Sequence, residues 1–290
     1  MKRTAKYWQS LKMFLRILRA SKLGFAGLII VIAFAIMAIG APYIAPYDPT
    51  ETFLTKPFQP PSPQHWLGTD DAGRDVLSQL IHGSRVAFIV GISAAVIVTI
   101  LGTIIGTVSG YFGGVVDTVL MRITDVFLII PMLPFAILLA LYVGPSLLNI
   151  VILIGFLGWP GLARGIRAQV LAIKEAPFIE AARATGASSK RIMFIHILPN
   201  LIGIIMASMV GSSIGAIMAE AGLAFLGVTD PRIISWGRII QRSLGSGAII
   251  YGAWWTLVPP GIFLATLASG FSFFSHGLTL FLSPQLRRGR

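Results

Sequence analysis

Long uncharged apolar blocks alternate along this chain with short polar segments, and the block lengths predict membrane-spanning helices. A span needs about 20 apolar residues. Leu23 to Tyr47 carries no charge, which predicts a first span over 23–44. Seven prolines follow (Pro42, Pro46, Pro49, Pro57, Pro60, Pro61, Pro63) and exclude regular helix, so residues 45–85 read as an irregular external loop. The end of that loop, GTDDAGRDVLSQLIHGSR, offers Asp70 or Asp71 as a cap and a short amphipathic helix with Val76, Leu77 and Leu80 on one side. Val86 to Gly110 makes the second span, and Gly102, Gly106 and Gly110 form a row at which helix backbones can approach closely. Asp117, Arg122 and Asp125 then share a helix, with Arg122 and Asp125 three apart and able to pair. The uncharged run from Val126 to Ala163 is too long for one helix. Gly144-Pro145-Ser146 divides it into a third span ending near Tyr142, kinked at Pro131 and Pro134, and a fourth over 147–162. A fifth span is expected over 201–223, with Gly203, Ala207, Gly211, Gly215 and Ala219 at every fourth position. Residues 226–253 form a second external loop, and a sixth span runs over 254–282 with a kink at Pro259-Pro260.

One polar stretch interrupts this pattern at length, from Arg164 to Asn200. Within it Pro177 suits the first turn of a helix. Phe178, Ala181, Ala182 and Thr185 recur at i, i+3, i+4 and i+7 and so share one face, made mostly of small residues. Gly186 can adopt the left-handed conformation that ends a helix, and Ser188 suits the cap of a second turn near Lys190. The stretch reads as a helix–turn–helix joined to the fifth span at Leu198-Pro199.

Composition confirms the class and charge orients it. The chain is 55% hydrophobic and 12% charged, with a mean hydropathy of +0.82, against roughly 25% charged residues in a soluble domain. Its net charge of +12 resembles that of a nucleic-acid binder, but the basic residues sit beside apolar runs, as the positive-inside rule describes. With the N-terminus inside, seventeen of the 23 Lys/Arg fall on cytoplasmic segments. Six spans, both termini inside, and a cytoplasmic 164–200 loop follow. Residues 1–22 hold basic residues between Trp8, Leu11, Phe14, Leu15 and Leu18, an amphipathic segment for the anionic leaflet, with a frayed basic tail as the plainer reading. Residues 23–283 form the membrane domain and 284–290 a basic cytoplasmic tail. The first apolar run is too long for a cleaved signal peptide. The chain has no cysteine, and the four histidines are scattered, so no metal site is expected. There is no phosphate-binding G-x-x-x-x-G-K-[ST] loop.

Glu180-Ala181-Ala182, Gly186, and Ile197-Leu198-Pro199 match in spacing the EAA motif of permease subunits in binding-protein-dependent ABC importers, which the chain resembles. Leu67-Gly68-Thr69-Asp70, Gly73-Arg74-Asp75-Val76, Tyr111-Phe112-Gly113-Gly114 and Ser235-Trp236-Gly237 are similar to the dipeptide/oligopeptide/nickel branch, and to the second permease of its pair. The resemblance implies an all-α membrane protein of the type I importer permease fold, with six spans and a cytoplasmic coupling helix. It implies a subunit that is not itself an enzyme and has no catalytic residue. It also implies a prokaryotic plasma (inner) membrane location. Expected partners are a homologous second permease, two cytoplasmic ATPases that use ATP and Mg, and an external substrate-binding protein. The implied cargo is di- or oligopeptides, with oligosaccharides or nickel as alternatives. Coupling to the ATPases would fall to Glu180, Ala181, Ala182, Gly186, Leu198 and Pro199.

Plainer readings stand beside these. Glu180 can pair with Arg183 on a solvated helix. Asp125 with Arg122 reads as a structural pair, whereas Glu220 reads equally as a residue of the translocation pathway or as a structural hydrogen-bonding group. The glycine rows read as packing within the subunit. An intramembrane serine protease or a gradient-driven secondary transporter is the remote alternative. Ser212, Ser213 and His276 are present, but without the local motifs such a protease needs.

Overall fold

The computed structural model describes residues 21–282 and is all-helical there. Most of the amphipathic N-terminal segment and the whole 284–290 tail expected from the sequence lie outside the described residues. The helices are α1 (Lys22–Ile44), α2 (Val76–Phe112), α3 (Gly114–Ile129), α4 (Met132–Val143), α5 (Leu147–Gly158), α6 (Pro160–Lys174), α7 (Pro177–Ala184), α8 (Leu198–Phe225), α9 (Trp236–Gly245) and α10 (Val258–Leu282). A three-residue turn, Ser189–Arg191, and a π-helix, Ile192–Ile197, join α7 to α8. Among the described residues, five helical stretches are long and apolar enough to cross a membrane, and α3 with α4 makes a sixth if that bent pair is one span.

Helix α2 is the central column, touching α1, α5, α6 and α8. The expected break between a loop helix and a second span is not found. Asp75 caps one continuous helix whose first turns are the expected amphipathic piece. Arg85 interrupts the apolar run without interrupting the backbone bonds, because residues 76–112 contain no proline. The glycine row on α2 seats α6: a methyl group built on Gly106 would lie 2.5 Å from the Ala163 carbonyl oxygen, and one on Gly102 2.8 Å from Leu162 Cγ. Such contacts admit only glycine, so the two backbones approach at van der Waals distance.

Prolines act by position. Pro131 breaks the third span rather than kinking it: Ile130 is extended, with ψ 122°, and α3 and α4 meet at 88°. The Pro259-Pro260 pair falls in the first turn of α10, where the missing N–H groups cost nothing, so no kink arises there. The fourth span is longer than expected, running through Trp159 into α6 and ending at Lys174.

Three apolar clusters hold the bundle. One gathers Val90, Ala140, Ile154 and Leu223, a second Leu80, Trp236, Leu267 and Phe271, and the third Ile166, Ile179, Ile197 and Leu201. In the third, the fully buried Ile179 anchors the short α7 to α6 and α8, and so fixes where the polar stretch sits on the bundle.

Candidate functional site

Pro177 opens α7, and Thr185 ends it in a near-helical conformation. Gly186, at φ +79°, then turns the chain. Its N–H donates to the Arg183 carbonyl at 2.9 Å, and the Ala187 N–H donates to the Ala182 carbonyl at 3.0 Å. These two bonds form a Schellman cap, which satisfies the carbonyls that the end of α7 leaves free. Ser188 then accepts the Arg191 N–H through its hydroxyl, as the sequence predicts. The helix–turn–helix is therefore closed by its own local bonds.

The face shared by Phe178, Ala181, Ala182 and Thr185 is open. With Arg191 and His196 it lines a concavity of about 750 Å³. Phe178, which lines it, is 46% exposed, and Phe194 and Ile195 on the π-helix are 67% and 57% exposed; covering such apolar surface is worth about 25 cal/mol per Å². Glu180 is exposed on α7 outside that concavity. Its carboxylate meets no cation within ion-pair distance among the described residues, so the Arg183 pairing is not formed.

Leu198 and Pro199 begin α8, directly after the π-helix. Pro199 has no N–H for the turn before it, and the backbone widens instead, with the Leu198 N–H reaching the Met193 carbonyl five residues back. The Asn200 side-chain amide donates to the His196 carbonyl at 2.6 Å. The six coupling residues expected from the sequence thus lie on α7, its cap and the first turn of α8, and Ala181, Ala182 and Gly186 share the concavity.

One of the expected pairings among the span-associated polar residues is not formed. Asp125 pairs with Arg164 on α6 at 2.5 Å, not with Arg122. Local spacing allowed the Arg122 pair, but α6 lies against α3 and brings a nearer cation. Asp117 accepts both Nε (2.6 Å) and Nη2 (2.5 Å) of Arg167 and the hydroxyl of Ser109. Glu220 is 4% exposed. It is hydrogen-bonded to Ser235, the cap of α9, and faces a small enclosed space with Ser146, Thr229 and Asp230. The second small-residue row is only partly covered by the described residues: Ala219 packs against the core, while Gly211 and Gly215 on α8 have open space where a side chain would stand. Gly211 lines a groove shared with Gly161 and Gly165 of α6.

At the other end the GTDDAGRD segment builds a bonded cap. Asp75 accepts the Ser78 N–H and hydroxyl, both at 2.7 Å, and the His65 ring nitrogen at 2.9 Å. Asp70 accepts from the Arg74 backbone and guanidinium, the Ala72 N–H and the Gln79 amide. The Trp255 and Trp236 indoles donate to the carbonyls of Thr69 (3.1 Å) and Leu80 (2.9 Å). Nearby, the Arg232 guanidinium holds the Asp230 carboxyl at about 2, well below the usual range.

Comparison with known proteins agrees with this architecture. Residues 100–288 match the family described as binding-protein-dependent transport system inner membrane component, and residues 8–61 match the N-terminal transmembrane domain of oligopeptide transport permease C. The chain is 38% identical to the dipeptide transport system permease protein DppC of Bacillus subtilis, over 94% of this chain and 85% of that one. It is 36% identical to the oligopeptide permease OppC of the same organism (93% and 88% covered) and 38% identical to OppC of Escherichia coli (90% and 87%).

Proposed function

We propose a specific part for this chain, which belongs to the family of binding-protein-dependent transport inner membrane components: it is the permease subunit that forms half of a peptide pathway and receives ATPase motion through α7. The observation that carries this reading is the self-capped helix–turn–helix with its open concavity, lined by Phe178 and small residues, fused without a linker to a membrane span. An element whose own backbone bonds are closed and whose exposed face is small and apolar suits a rigid docking piece. Glu180, Ala181, Ala182 and Gly186 would meet the ATPase, and Leu198-Pro199 would carry the motion into α8.

In this reading residues 164–200 face the cytoplasm, with both termini, while 45–85 and 226–253 face outward. A homologous permease completes the pathway and an external binding protein delivers the cargo. ATP and Mg are used by two partner ATPases, and this chain takes no catalytic part. Di- and oligopeptides are the cargo, supported by relatives named for dipeptide and oligopeptide transport; oligosaccharides and nickel are the alternatives. The test is uptake in proteoliposomes holding the assembled subunits and a loaded binding protein. Uptake of labelled short peptides that requires the ATPases and ATP is expected. Uptake persisting without the ATPases would reject the importer reading in favour of a gradient-driven carrier.

A further inference from the structure

Helix α3 is poorly anchored for a membrane-domain helix. Thr124 is its one buried residue, and Val115 and Ile129 are each 79% exposed. Phe127 makes its apolar hold, packing against Phe156 and Trp159 at ring distances of 5.5 and 5.3 Å. The remaining ties to α6 are ionic: Asp117 to Arg167 and Asp125 to Arg164. The two are not alike. The Arg164 and Asp125 side chains are 53% and 39% exposed, whereas those of Arg167 and Asp117 are 33% and 17% exposed. Asp117 also receives the Ser109 hydroxyl from α2, so three helices converge on one carboxylate.

Resting on the proposed coupling role of α7, we infer that Asp117 and Arg167 form a latch that makes α3 follow α7, acting as positioning residues for transport. Helix α6 runs from the glycine-seated groove on α2 to Lys174, and only Glu175 and Ala176 separate it from α7. A displacement of α7 therefore reaches α6 directly. A two-point guanidinium–carboxylate fork fixes angle as well as distance, which a single ionic contact does not. Through it the displacement passes to α3 and, across the 88° bend, towards α4. An apolar contact as small as that of Phe127 would let α3 pivot; the fork prevents this.

The test uses the complete complex in proteoliposomes, with radiolabelled short alanine peptides as the probe, and reads peptide imported per ATP hydrolysed. Wild-type uptake in the same preparation establishes the importer reading, so failure of the latch is seen separately in the ratio. Asp117→Asn and Arg167→Gln are each expected to lower the ratio about tenfold or more while basal ATP hydrolysis continues. The double variant is expected to fall no further than about threefold below the worse single, since both changes remove one interaction. Arg167→Lys, which keeps the charge but loses the fork, is expected to recover part of the ratio. Losses that multiply in the double variant would overturn the latch. So would uptake, ATP hydrolysis and assembled complex falling in equal proportion, with the ratio kept within about twofold of wild type.

Discussion

The two polar ends of this molecule spend their hydrogen-bonding groups in opposite ways. Around Asp70 and Asp75 each buried carboxylate accepts several donors, two tryptophans are tied to backbone carbonyls, and His65 is buried against Asp75. Around α7 the backbone is closed by its caps, but Glu180, Arg191, Phe178 and Phe194 are exposed. A region that satisfies itself is a rigid cap, costly to disturb. One that closes its backbone yet leaves its side chains open keeps its shape while remaining available to a partner. Substitutions at the first end should therefore be read as stability, and at the second as transport.

Asp75→Ala should produce the largest stability loss. It removes the cap of α2 and leaves His65 buried beside no carboxylate, a cost of about 3 kcal/mol by analogy with broken buried pairs. A clear fall in the thermal unfolding midpoint of the detergent-solubilised protein is expected, and an unchanged midpoint would remove the distinction between the ends. Gly186→Val forces a β-branched residue to φ +79°, a strain of about 1–3 kcal/mol at an exposed turn. Its companion Glu180→Lys touches no internal ion-pair partner and should alter stability by less than about 0.5 kcal/mol. Both are expected to reduce ATP-driven uptake about tenfold or more, and unchanged stimulation of the ATPase by loaded binding protein in either variant would refute a coupling role there. Asp230→Asn should have the smallest effect. The native carboxyl ionises at about 2 because of Arg232, below the roughly 3.9 of an unfolded aspartate. Its contribution is present above about 4 and lost as pH falls towards 2. Wild type and Asp230→Asn should thus converge in stability on acidification, and a gap that widens would contradict the Arg232 assignment.

Elements closed over three or four residues were legible in the sequence. Pro177 opening α7, the Gly186 cap and the Ser188 cap depend on which backbone groups lie one turn away, and residue type decides that. The apolar blocks were legible for the same reason, since lipid demands a continuous apolar helix from whatever chain crosses it. Helix α9, inside what reads as a loop, was not marked, because its apolar face is short and polar residues surround it. Its start had a signal in Ser235, a cap residue directly before Trp236.

The sequence alone therefore determined the membrane class, the apolar blocks, the helix–turn–helix and its resemblance to importer permeases. Only the tertiary structure decided that Asp125 meets Arg164, that Asp117 forks with Arg167, and that the glycine row on α2 is filled while Gly211 and Gly215 stand open. These pairings join residues 39 and 50 positions apart. Where two helices cross sets which side chains meet, and that depends on shape along the whole contact rather than on any local period. The caps that close α7 belong to the sequence; the ion pairs that tie α3 to α6 belong to the crossing of α3, α2 and α6.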